Sequence, residues 1–207
     1  MIFETPVETA PQSRYTWPDW MWVTRKEALI LDGVAKKLGG PFVELGCCDG
    51  RTTWFLAHHN PTVDFVAVDW DGAPEVMDAA QKGENPGIPL GYLRNRGVFP
   101  NVRFLCTDSS RLQLEMVRPK VIFIDGNHTF KGVQMDTENA LAYRAGLDAG
   151  ITLLWHDYHD EGKGPNWVGV GRYLRGLAET LPLQRLAGTN LVMFNGSEDG
   201  SLKPWVP

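Results

Sequence analysis

Apolar positions change their period along this chain, and the changes mark out its elements. After Thr24 they recur every three or four residues, through Ala28, Leu29, Leu31, Val34, Ala35 and Leu38, which predicts a helix. Thr24 followed by Glu27 has the form of a capping box at its start, and Gly39-Gly40-Pro41 ends it. Short, nearly continuous apolar runs then occupy 42–45, 63–69, 102–106, 120–125 and 151–157. Runs of that length with little alternation read as strands buried on both faces. Helical patterns separate them, from Arg51 onward and over 73–82, 132–147 and 168–181, while 183–186 and 190–195 read as a closing antiparallel pair. Strands alternating with helices predict a doubly wound α/β fold: a Rossmann-like, mostly parallel, seven-stranded sheet with helices on both faces and a C-terminal antiparallel strand pair. Residues 24–196 would form this domain. Residues 1–23, with Trp17, Trp20 and Trp22, read as an irregular arm or lid, 83–101 as a glycine- and proline-rich crossover, and 197–207 as a loose tail.

In such sheets ligands bind beyond the carboxyl ends of the strands, where the strand order reverses. Acids stand at that edge repeatedly: Asp69, Asp125 and Asp157 end strands, and Asp108 lies just past another. The first strand runs into Glu44-Leu45-Gly46-Cys47-Cys48-Asp49-Gly50-Arg51-Thr52, a glycine turn opening a helix. A helix start presents free N–H groups and a positive dipole end to a carboxylate or phosphate. The dinucleotide fingerprint G-x-G-x-x-G fails here, because Cys48 and Arg51 fill its second and third places. The phosphate loop G-x-x-x-x-G-K-[ST] fails as well.

Charge narrows the partners. A formal net charge of -5 with no basic cluster argues against nucleic acid. No apolar run approaches the ~20 residues of a membrane span, and the first residues show no basic stretch leading into an apolar one. Three cysteines, two of them adjacent, make no disulfide framework. The chain reads as cytoplasmic, with reduced thiols.

The pattern E-x-G-x-x-x-G, followed by an acid closing the next strand, is Glu44, Gly46, Gly50 and then Asp69. It resembles the class I S-adenosylmethionine-dependent methyltransferases. Many relatives carry a third glycine where this chain has Cys48, which should narrow the turn without blocking it. The resemblance implies that S-adenosylmethionine is the cofactor. Its methionine end would be held by Glu44, Gly46, Cys48, Asp49, Gly50 and Thr52, with Asp125 at the reacting end. Its ribose would fall to Asp69, and its adenine to Asp108 and Ser109, with Trp70 flanking the ring.

The runs Ile124-Asp125-Gly126-Asn127-His128-Thr129, Trp155-His156-Asp157-Tyr158 and Gly169-Val170-Gly171-Arg172-Tyr173 look like a bacterial subgroup of small-molecule and sugar O-methyltransferases. They are also similar to the cation-dependent O-methyltransferases such as the catechol enzymes. That similarity implies a Mg²⁺ or another divalent metal on Asp125, His156 and Asp157. It also implies a catalytic base three positions after Asp125, where the catechol enzymes have lysine and this chain has His128. Tyr158 replaces their amide ligand. His159, Asp160 and Glu161 read as a solvated loop. The loop 162–167 and the arm tryptophans would wall a pocket for an aromatic or sugar acceptor, and the arm could exchange between subunits of a homo-oligomer. Two other readings stay open: a non-catalytic S-adenosylmethionine-binding protein, and a metal-dependent hydrolase echoing the block Gly126-Asn127-His128.

Overall fold

The computed structural model describes residues 3–5, 23–48, 50–69, 99–145, 150–159 and 168–195. Strands β1 (Phe3–Thr5), β2 (Phe42–Leu45), β3 (Phe65–Asp69), β4 (Val102–Cys106), β5 (Val121–Ile124), β6 (Thr152–Trp155), β7 (Gln184–Leu186) and β8 (Val192–Phe194) make one sheet in the order β1-β7-β8-β6-β5-β2-β3-β4. The strands from β6 to β4 are parallel. β8 runs antiparallel to both β6 and β7. All seven expected strands are present. The eighth, β1, lies in the arm expected to be irregular and pairs parallel with β7 at the sheet edge. The expected helix over 73–82 and the 162–167 loop lie outside the described residues.

Side chains alternate across the strands, and both faces are apolar. Val43, Leu45, Val66, Val68, Ile122, Ile124, Leu153 and Trp155 pack on one side. They meet α3 (Leu114–Val117), α4 (Phe130–Ala145) and α5 (Val168–Leu177) through Leu114, Val133, Ala140, Tyr143, Val170 and Leu174. Phe42, Phe65, Val121, Phe123 and Leu154 pack on the other side against α1 (Arg25–Leu38) and α2 (Arg51–His59). Each large side chain so buried stabilises the fold by about 1.5–3 kcal/mol. No helix among the described residues is long and apolar enough to cross a membrane.

Register sets the site. Leu45 lies beside Val68 on one flank and Ile124 on the other, and Ile124 lies beside Trp155. The next residues along each strand, Gly46, Asp69, Asp125 and His156, therefore share one edge of the sheet. The chain runs outward from β2 through β3 to β4, then crosses back to β5 on the other flank of β2. The strand order thus reverses between β2 and β5, where Gly46 and Asp125 meet.

Candidate active site

The turn from β2 to α2 is built on left-handed backbone. Gly46, Cys48 and Gly50 have φ of 89°, 51° and 86°. The N–H groups of Gly46 and Cys47 both donate to the Val68 carbonyl, and the Cys48 N–H donates to the Asp69 carboxylate. Cys48 thus occupies a conformation that suits glycine, which explains in physical terms the glycine common at this place in the resembling family. Gly50 caps α2 without a side chain, leaving the helix start open to an anion. Glu44 and Thr52 are buried. The Glu44 carboxylate accepts from the Thr53 hydroxyl, tying β2 to the start of α2. Burial pushes Glu44 up to about 8; the Thr53 hydrogen bond opposes this, and the nearby charges of Asp125 and Asp69 add to it. Asp49 and Trp70 lie outside the described residues.

Asp108 and Ser109 sit past β4 in a short 3₁₀ turn, Ser109–Arg111. Asp108 caps that turn, accepting from the Ser110 N–H at 3.0 Å and its hydroxyl at 2.7 Å, and lies 3.4 Å from Arg111 Nε. The Ser109 hydroxyl donates to Asp136 on α4 at 2.7 Å. Burial lifts Asp136 to about 6, the Ser109 hydrogen bond working against it and the Asp108 charge with it.

The ends of β5 and β6 gather three carboxylates and three imidazoles. His128 Nε2 lies 3.1 Å from Asp157 Oδ2 and 3.6 Å from Asp125 Oδ1. His156 Nδ1 lies 3.1 Å from Asp125 Oδ1 and 3.4 Å from Asp157 Oδ1. Its other nitrogen, Nε2, lies 3.4 Å from Glu27 Oε2. Asp157 has φ of 57°, so β6 stops at Trp155, two residues short of the expected end. His159, expected in a solvated loop, instead lies 3.6 Å from Asp157 and is 14% exposed.

Beside the expected set of Asp125, His156 and Asp157 lies a second grouping. Asp125, His128 and Asp157 offer ligand atoms within 4.8 Å of one another. Two hard oxygens and an imidazole suit a divalent cation. His156 lies beside that group, with carboxylates facing both of its nitrogens. Burial works against its charge, but Asp125 and Glu27 outweigh it and raise His156 well above the ordinary value. Burial alone would raise Asp125; the His156 charge and the His128 hydrogen bond hold it low instead. Asp157 is raised by burial and by Asp125, against the pull of His156 and His128. His128 is raised, its burial outweighed by the Asp125 hydrogen bond and the Asp157 charge.

Glu27 joins this cluster without any signal in the sequence pattern. It closes the expected capping box with Thr24. The same carboxylate takes the Asn190 N–H at 2.7 Å and faces His156. Its helix-capping role accounts for its place in the sequence, so nothing pointed to a partner so far along the chain. Burial would raise it, but His156 and the Asn190 and Thr24 N–H groups bring it down to about 2. Glu27→Ala should lower stability by about 3–5 kcal/mol in urea unfolding at pH 7, because it removes a buried carboxylate that caps α1, accepts from the Asn190 N–H and faces His156. A carboxylate depressed in the folded state stabilises fully above its unfolded value near 4.5, and that contribution fades as pH falls through about 2. The gap between wild type and variant should therefore narrow across that acidic range.

Comparisons with known proteins bear on the family and the fold. A family model described as a methyltransferase domain matches residues 43–158. No curated protein sequence matches the chain. Among solved structures, a protein provisionally described as a caffeoyl-CoA O-methyltransferase from Staphylococcus aureus aligns with TM-score 0.57 and 15% identity, covering 85% of this chain and 86% of that one. Cofactor-bound Rv0187 from MTB aligns with TM-score 0.54 and 14% identity, over 89% and 85%. An O-methyltransferase family protein from Burkholderia thailandensis aligns with TM-score 0.51 and 15% identity, over 83% and 57%. At such identities the structures speak for the fold. The family match runs from β2 through the glycine turn and the strand-end acids to Tyr158, and by it the chain belongs to the methyltransferase-domain family, as a class I S-adenosylmethionine-dependent methyltransferase.

Proposed function

We propose that the protein methylates a hydroxyl oxygen of a small-molecule acceptor, a sugar or a phenol, with a divalent cation held at the ends of β5 and β6. The observation that carries this reading is the grouping of Asp125, His128 and Asp157 within 4.8 Å, beside the Gly46 turn at the reversal point of the sheet. The net charge of -5 and the absence of a basic cluster favour a small acceptor over nucleic acid.

S-adenosylmethionine supplies a methyl group made electrophilic by its sulfonium. The chain's residues supply the rest. The open start of α2 and the left-handed turn suit the amino-acid end of the cofactor. Asp69, at the end of β3, is an acceptor for paired ribose hydroxyls, and the 108–112 turn serves the base. Asp125 and Asp157 are the oxygen ligands for a cation, which would lower the pKa of an acceptor hydroxyl. His128 receives the hydroxyl proton. Its side chain is 33% exposed where His156 is 7%, so it is the more open of the two imidazoles, with Nε2 turned inward to the carboxylates. In the absence of a cation the two carboxylates raise the His128 pKa against the effect of its burial. With a divalent ion on the same oxygens, His128 would be left in its neutral, proton-accepting form.

The 4.8 Å grouping also favours a second role, in which His128 is a nitrogen ligand. Calorimetry separates the two: as a base, His128→Ala retains cation affinity, and as a ligand it loses it. For the cofactor, Asp69→Ala should weaken S-adenosylmethionine binding about a hundredfold by calorimetry, since two hydrogen bonds to a charged group are removed. Unchanged affinity would place the ribose elsewhere.

A further inference from the structure

We propose that Asp136 is a positioning residue that ties the turn serving the cofactor's base to the loop carrying Asp125 and His128. It rests on the assignment of the 108–112 turn to the cofactor. Asp136 lies on α4 and is 3% exposed. Its Oδ1 accepts from the Ser109 hydroxyl at 2.7 Å. Its Oδ2 lies 3.1 Å from where a Cβ on Gly126 would stand. One carboxylate therefore hydrogen-bonds the turn past β4 and packs beside the residue after Asp125. Asn139, three positions along the same helix, donates from Nδ2 to the carbonyls of Ser109 at 3.2 Å and Leu112 at 3.1 Å.

A three-residue 3₁₀ turn has little stability of its own. Here α4 holds it at both ends through Asn139 and at its first residue through Asp136. The carboxylate also fills the space beside Gly126, where any side chain would crowd it. Helix α4 begins at Phe130, directly after the His128 loop. The helix that presents Asp136 is thus the one the base loop runs into. Ordering of the nucleoside-side turn is transmitted through Asp136 to the segment that ends in His128.

The test uses the full chain. Calorimetry with S-adenosylmethionine should show Asp136→Ala binding about tenfold more weakly, the scale of one lost hydrogen bond to a charged group. Asp136→Asn keeps an acceptor oxygen for Ser109 and should recover most of the affinity. The double variant Asp136→Ala/Ser109→Ala should bind no more weakly than the worse single variant. Wild-type affinity in Asp136→Ala, no recovery in Asp136→Asn, or additive losses would overturn the proposal. Hydrogen exchange on the ligand-free protein separates this from a failure of the cofactor assignment. Asp136→Ala should speed exchange in both 109–112 and 126–129, whereas faster exchange in the first segment alone would show no coupling. If Asp136→Ala does not fold, Asp136→Asn and Ser109→Ala carry the same exchange readout: faster exchange in both segments for Ser109→Ala supports the link, and an unchanged 126–129 segment overturns it.

Discussion

Gly46→Ala should abolish measurable S-adenosylmethionine binding and lower stability by about 2–5 kcal/mol, combining left-handed strain with overpacking. Gly46 stands where β2 and β5 separate, and its backbone is left-handed, with φ of 89°. A Cβ there would lie 2.2 Å from the Gly126 Cα, 2.5 Å from its nitrogen and 2.6 Å from the Asp125 carbonyl oxygen. All three are backbone atoms of the loop that carries Asp125, so relief requires that loop to move. The substitution would therefore disturb the cofactor turn and the acidic cluster together. Gly176→Ala is the matched control: it lies in α5 with nothing within 4 Å of its would-be Cβ. It should stabilise by about 0.5–1 kcal/mol, as alanine does in a helix. Denaturant unfolding and calorimetry on the two variants read both effects. Wild-type binding by Gly46→Ala would mean that the junction of β2 and β5 is looser than its contacts imply.

His128→Ala should lower turnover about 10²- to 10⁴-fold, the usual contribution of a positioned acid–base group, with S-adenosylmethionine affinity intact. A base must be neutral, so turnover should rise as pH climbs through the His128 pKa. Asp125 and Asp157 raise that pKa above 6.5, which places the limb of the profile above the ordinary histidine range without added cation. Added divalent ion should move the limb to lower pH. A His128→Ala profile that keeps the same limb would assign it to another group.

The sheet was legible because its central strands, β2, β5 and β6, are buried on both faces and read as short apolar runs. The edge carrying the chemistry followed from them, since Gly46, Asp69, Asp125 and the 156–157 pair each come directly at or after a strand end. What the pattern did not reveal is which imidazole faces outward. Residues 125 and 156 follow Ile124 and Trp155 and so turn to the α1 face, where Glu27 waits. Glu27 is far from His156 in sequence, and its capping box already accounted for it. Asp136 was visible only as a polar interruption in the buried stripe of α4 with Val133, Ala140 and Tyr143. Its partners, Ser109 and Gly126, come from two separate loops. Cys48 departs from the glycine pattern yet takes the left-handed conformation that glycine would supply.

The most direct measurement follows the methyl group. The purified chain is incubated with S-adenosylmethionine carrying a ¹³C-labelled methyl, a divalent cation, and a panel of sugars, phenols and catechols, and the products are read by NMR. A labelled methyl on oxygen is expected, formed by wild type and lost in His128→Ala and Asp125→Ala. Label on nitrogen, carbon or sulfur, or an O-methyl product formed equally well by His128→Ala, would contradict it.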